Sequence, residues 1–153
     1  MKFGVRLPHS GPLASPSAIA KVARSADQLG YDSVWVHDHL HFDKSNVITG
    51  HISSGSMELM RETGYIDKPD FYEPLMTLAF VSAITNKAKL ATAILVLPQR
   101  NPVIVAKQVA TLDAFSGGRL ILGVGIGSRD KEYQVVDVSF EKRGERLDEY
   151  IEV

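Results

Sequence analysis

Ser116-Gly117-Gly118-Arg119-Leu120-Ile121-Leu122-Gly123-Val124-Gly125-Ile126-Gly127 reads as a helix end, a tight turn, a short apolar strand and a glycine-rich strand end. Upstream, Asn101-Pro102 supplies a cap and a first-turn proline, and Val105, Val109 and Leu112 follow at helical spacing. Helix, turn and apolar strand in succession is the repeat of an α/β protein. The remainder of the chain follows the same rhythm.

Working back toward the N-terminus, Leu90 to Leu97 is a third strand, preceded by a helix opened by a capping-box variant at Asp70-Phe71-Tyr72-Glu73. Leu75, Leu78, Ala79 and Ser82 would face inward from that helix. Asp38 to Pro69 is a polar insertion without clear period. Before it, Lys2 to Leu7 is a first strand. Ser15 and Pro16 open a helix carrying Ile19, Val22, Ala23, Ala26 and Leu29, Gly30 closes it, and Ser33 to His37 is a second strand. Beyond Gly127 a polar loop leads to a last helix, Arg143 to Val153, with Leu147, Tyr150 and Ile151 on one face. Strands 2, 3 and 4 are near-continuous apolar runs, as expected of buried parallel strands. Two architectures fit four βα units, a doubly wound sheet and a (β/α)₈ TIM-type barrel. A barrel takes roughly 250 residues. The 153-residue chain, ending inside a helical period, would be its first half. Raw parallel edges would then favour self-association as a homodimer or larger assembly.

Composition bounds the function. The chain is 44% apolar and 23% charged, with 17 basic and 18 acidic residues and a net charge of −1. That is globular, and it argues against a nucleic-acid partner. There is no cysteine, hence no disulfide and no thiolate chemistry. No apolar run is long enough to span a membrane, and the start lacks a signal-peptide core. The expectation is a soluble, cytoplasmic protein acting on a small molecule.

Three places carry candidate chemistry. Gly123, Gly125 and Gly127 sit at a strand end, where α/β proteins place ligands. The dinucleotide fingerprint G-x-G-x-x-G fails, because Ser128 and, in the next frame, Asp130 stand at its last position. The segment is either a ligand-approaching loop or a plain tight turn. His37-Asp38-His39-Leu40-His41 follows the second strand, its three histidines alternating to one side. It reads as solvated loop histidines, as an acid/base pair with Asp38 orienting a histidine, or as a metal site of a barrel hydrolase using His37, His39 and His41. Thr92 and Ala93 either floor a pocket or belong to an ordinary core strand. Arg100 either meets a phosphate or carboxylate or is a solvated charge.

Together, Gly30-Tyr31-Asp32-Ser33-Val34-Trp35-Val36 with Asp38-His39, Asn101-Pro102 with Ala106-Lys107-Gln108 and Thr111-Leu112-Asp113, residues 116–127, and Arg143-Gly144-Glu145-Arg146-Leu147-Asp148-Glu149 resemble the luciferase-like monooxygenase superfamily. The resemblance implies a (β/α)₈ barrel, only its first four units present, binding FMN or coenzyme F420 at the carboxyl ends of the strands. It implies an oxidoreductase or monooxygenase that transfers hydride or activates oxygen. It places His39, with Asp38 as neighbour, in proton transfer. It places Thr92, Ala93, Ile94, Gly125, Ile126 and Gly127 at the cofactor, with a non-prolyl cis peptide at Ala93-Ile94. Some F420-dependent sugar-phosphate dehydrogenases carry an acid just after the strand-4 glycines, where this chain has Ser128.

Overall fold

Ser15 accepts a hydrogen bond from the Ala18 amide and Pro16 occupies the first turn, so the chain enters α1 (Pro16–Leu29) with its orphan amides satisfied. A computed structural model describes residues 1–40, 62 and 71–153. Most of the 38–70 insertion, His41 included, lies outside the described residues. Five further pieces complete the framework: β1 (Gly4–Arg6), β2 (Ser33–Val36), α2 (Pro74–Ser82), β3 (Lys89–Thr92) and α3 (Pro102–Ser116). After them come β5 (Leu120–Ile121) and α5 (Arg143–Ile151). The strands pair in parallel in the order β1-β2-β3-β5, with Val5 beside Val34, Val34 beside Leu90, and Leu90 beside Leu120.

Alternation along each strand sorts the side chains. Leu7, Val34, Val36 and Leu90 are buried against Ile19, Ala23, Leu75, Leu78, Val105 and Leu112 of the three long helices. Gly4, Arg6, Trp35 and Ile121 belong to the opposite face, where the Trp35 ring lies over Gly4 and Ile121 is 36% exposed. Strands in consecutive order with all packed helices on one face form a barrel wall. A doubly wound sheet would carry helices on both faces.

The opening stretch of the sequence acts as a latch. Gly117 turns the chain out of α3 at φ 69°. The Arg119 guanidinium then donates to the carbonyls of Ser82, Thr85, Ala88 and Ser116 and to the Thr85 hydroxyl. It thereby satisfies the carboxyl ends of α2 and α3 together. From the other side, Asp27 accepts from the amides of Asn86, Lys87 and Ala88. Burial works to raise the Asp27 pKa, but these three amides prevail and hold it below the usual value.

Several elements differ from the sequence reading. The helix expected at Asp70 begins at Pro74, because Glu73 is the cap and accepts from the Met76 amide at 2.7 Å. The single strand expected at Leu90–Leu97 is broken into β3 and β4 (Leu95–Val96) and then runs into a 3₁₀ turn at Leu97–Gln99. The strand expected at Arg119–Val124 is likewise β5 and β6 (Val124–Gly125), with β4 pairing β6 in parallel. The loop after Gly127 contains a short helix, α4 (Asp130–Val135). Ile151, expected on the packed face of α5, is 59% exposed, whereas Leu147 and Tyr150 do pack against the core.

Candidate active site

The break in β3 and β4 is where the site begins. The Ala93-Ile94 peptide is cis, as the resemblance implied. Thr92 bridges the gap between the neighbouring strands. Its hydroxyl donates to the Gly123 carbonyl at 2.8 Å and lies 3.0 Å from the Gly123 amide that donates to it. A β-carbon on Gly123 would stand 2.3 Å from the Thr92 carbonyl oxygen, so this close approach requires glycine. Thr92 is fully buried and does not line the cavity. Its place is under the cavity, next to Ala93, which does line it.

Past the break, Ala93, Ile94, Gly125, Ile126 and Gly127 come together with His37, Asp38 and His39 around a cavity of about 410 Å³. Ile94 and Ile126 are 38% and 37% exposed there, two aliphatic walls flanking the backbone of residues 125–127. Tyr133, itself fully buried, donates its hydroxyl hydrogen bond to the Ile126 carbonyl and steadies that loop.

His39 does not pair with Asp38. Its Nδ1 lies 2.8 Å from Oε1 of Glu132, whose side chain is 2% exposed. Glu132 is on α4, a short helix inside the polar loop expected after Gly127, and Arg129 approaches the same carboxylate at 3.6 Å. The sequence reading names no partner for His39 at this position: where some F420-dependent relatives carry an acid just after the strand-4 glycines this chain has Ser128, and Glu132 comes into reach only through the fold. Because a carboxylate oxygen accepts, Nδ1 is assigned the proton, and among the described residues Nε2 has no partner.

Asp38 is engaged elsewhere. Its carboxylate takes both Nη atoms of Arg100, at 2.6 and 2.9 Å, and the Val96 amide at 2.9 Å. The carboxylate is completely buried, so the pair is structural glue between the end of β2 and the β4 turn. Arg100 thus meets a carboxylate, that of Asp38 within the chain, and is not a solvated charge.

His37 is also spoken for. Arg6 Nη2 is 3.2 Å from its Nε2, and a guanidinium can only donate, so Nε2 accepts. Burial foremost, then His9, Arg6 and other neighbouring charges, lowers its pKa to about 3. The Phe71 ring stands edge-on to His37 and His39 at 4.9 and 5.2 Å between centroids. Among the described residues no three His, Asp or Glu side chains are grouped to hold a metal ion, and Arg6 beside His37 opposes a dication. The His37, His39 and His41 metal reading also needs His41, which lies outside the described residues.

Sequence comparison places the whole of residues 1–153 under the model for luciferase-like monooxygenases. The chain belongs to the luciferase-like monooxygenase family. It is 33% identical over 133 residues to an uncharacterized protein of Mycobacterium tuberculosis, covering 86% of this chain and 44% of that one. It is 32% identical over 134 residues to the F420-dependent glucose-6-phosphate dehydrogenase of Kineococcus radiotolerans, covering 87% of this chain and 33% of the dehydrogenase. Monooxygenase RslO1 of Streptomyces bottropensis superposes with a TM-score of 0.70 at 26% identity, over 99% of this chain and 41% of that one. Relatives and structural neighbours of this luciferase-like chain include F420-dependent and FMN-bound enzymes. It spans less than half of each of the three proteins just compared. Its parallel sheet matches part of their barrel. No described helix is long and apolar enough to cross a membrane.

Proposed function

We propose that this luciferase-like chain is the N-terminal half of a barrel oxidoreductase, with an insertion at 38–70, that works on a small molecule with FMN or F420. The observation that carries the reading is the His39–Glu132 pair standing in a cavity at the strands' carboxyl ends that Ala93, Ile94, Val96 and Ile126 line with apolar side chains and His37, Ser128 and Arg129 with polar ones. Ile94 and Ile126 offer flat apolar walls, and the amide-bearing backbone of Gly125–Gly127 offers close approach. That suits a flat heteroaromatic ring with a polar edge. Bound there, a flavin or deazaflavin supplies hydride transfer or, reduced, oxygen activation.

The chain's own residues then have separable tasks. Ala93, Ile94, Gly125, Ile126 and Gly127 hold the ring, and Thr92 fixes the two broken strands that present them. His39 is the proton-handling catalytic residue. Glu132 takes its Nδ1 hydrogen, which leaves Nε2 to hold or move a proton. Asp38 is a positioning residue: by clamping Arg100 and the Val96 amide it sets the strand end from which His39 projects. Outer edges at β1 and β5, unpaired among the described residues, support self-association.

Titrating the 153-residue chain with FMN and with F420, after size-exclusion chromatography, tests this by cofactor fluorescence. Saturable micromolar binding of one cofactor is expected, by an associated rather than monomeric chain. A folded chain that binds neither cofactor overturns the ring-site reading.

A further inference from the structure

Arg6 ends β1 on the sheet face that the helices leave uncovered, and it is exposed. One amino group of its guanidinium, Nη2, is held by two neutral acceptors, Ser10 Oγ at 3.1 Å and His37 Nε2 at 3.2 Å. Among the described residues nothing accepts from its Nε or Nη1, and no carboxylate neutralises it. The acids flanking β2 are engaged elsewhere, Asp32 by the Phe3 amide and Asp38 by Arg100. His37 lines the cavity, its ring centroid 6.0 Å from that of His39, and Arg129 lines the same cavity. Arg6 itself lines a neighbouring cavity with Pro8, Ser10 and Leu13, and its contact with His37 links that oriented guanidinium fork to the cavity at His39. Such a fork matches the two oxygens of a carboxylate or phosphate.

We infer that Arg6, steadied by Ser10 and His37, binds the oxyanion group, carboxylate or phosphate, of a molecule whose reacting part lies beside His39. The anion site stands on this geometry alone; only the placement of the reacting part rests on the oxidoreductase reading. His37 is suited to its part because its depressed basicity keeps it an acceptor, where a protonated ring would repel the guanidinium.

The test uses the whole chain and two probes, inorganic phosphate and succinate, added at constant ionic strength. Nitrogen-15 NMR follows the Arg6 Nε–H and the His37 ring. Both signals are expected to shift saturably with at least one probe. Arg6→Gln is expected to weaken that binding about tenfold or more, and Arg6→Lys less. No saturable shift in the wild-type chain, or affinity unchanged in Arg6→Gln, overturns the inference, and the wild-type arm needs no variant to fold. Parallel titrations with FMN and riboflavin name the source. If Arg6→Gln weakens FMN but not riboflavin, the anion is the cofactor's phosphate; if it weakens neither, the anion is the substrate's. Phosphate binding without any flavin or F420 binding would sustain Arg6 while removing the oxidoreductase reading.

Discussion

His39 and Glu132 are 93 residues apart in the chain and 2.8 Å apart in the fold. The pair gives the cavity its one oriented proton carrier. Glu132→Gln removes the carboxylate with little change in volume. In the cofactor-loaded enzyme, turnover should fall by about 10²-fold while cofactor affinity stays within about twofold. Nitrogen-15 shifts of the His39 ring should move from the Nδ1-protonated form to a mixture. Unchanged turnover and an unchanged tautomer would remove Glu132 from the mechanism.

Asp38 and Arg100 make the opposite prediction, one about stability. Both side chains are buried, at 0% and 12% exposure. Asp38→Asn leaves the Arg100 guanidinium only the more distant, half-exposed Glu73 carboxylate at 3.7 Å and should cost about 3 kcal/mol in urea unfolding. A loss below about 1 kcal/mol would show that the pair does not hold the strand end in place.

Acid sensitivity should trace to His37. Its folded-state pKa lies at about 3 against 6.5 for the free side chain. The unfolded chain therefore binds the extra proton first, so this residue's stabilisation is complete above pH 6.5 and drains away as pH falls toward 3. His9, also lowered by burial, adds to the same slope. The Asp27 carboxyl lies below 3.8 and contributes only at lower pH. Melting temperature should decline steadily from pH 7 to pH 4, and His37→Asn should flatten the decline. Parallel curves for the two proteins would count against it.

Gly123→Ala tests the strand break. The added methyl would lie 2.3 Å from the Thr92 carbonyl oxygen, so one of two backbones joined by the Thr92 hydroxyl bridge must shift. A cost of about 2 kcal/mol is expected, with weakened cofactor binding. Gly144→Ala, where a β-carbon meets nothing within 4 Å, is the control and should be neutral or slightly stabilising.

Much of the framework was legible because its causes are local. Ser15 with Pro16, Asn101 with Pro102, and the left-handed Gly30 and Gly117 cap helices through contacts within a few residues, so the chain announces them. Apolar runs announced the strands, and strand-end glycines announced where a ligand would sit. Of the site residues drawn from the resemblance, Asp38, His39, Ala93, Ile94, Gly125, Ile126 and Gly127 line one cavity, and Thr92 lies beside them, buried and bonded to Gly123. What each does there was not legible. Periodicity cannot see that β3 and β4 part company at Ala93-Ile94, because a continuous apolar run looks the same broken or whole. Nor can it see Asp38 turning to Arg100, Thr92 turning to Gly123, or Arg6 reaching His37 and Ser10. Those choices are made when parallel pairing brings the carboxyl ends of successive strands side by side. Charge and hydrogen-bonding partners are then decided across tens of residues by whichever group the barrel wall places within three ångströms.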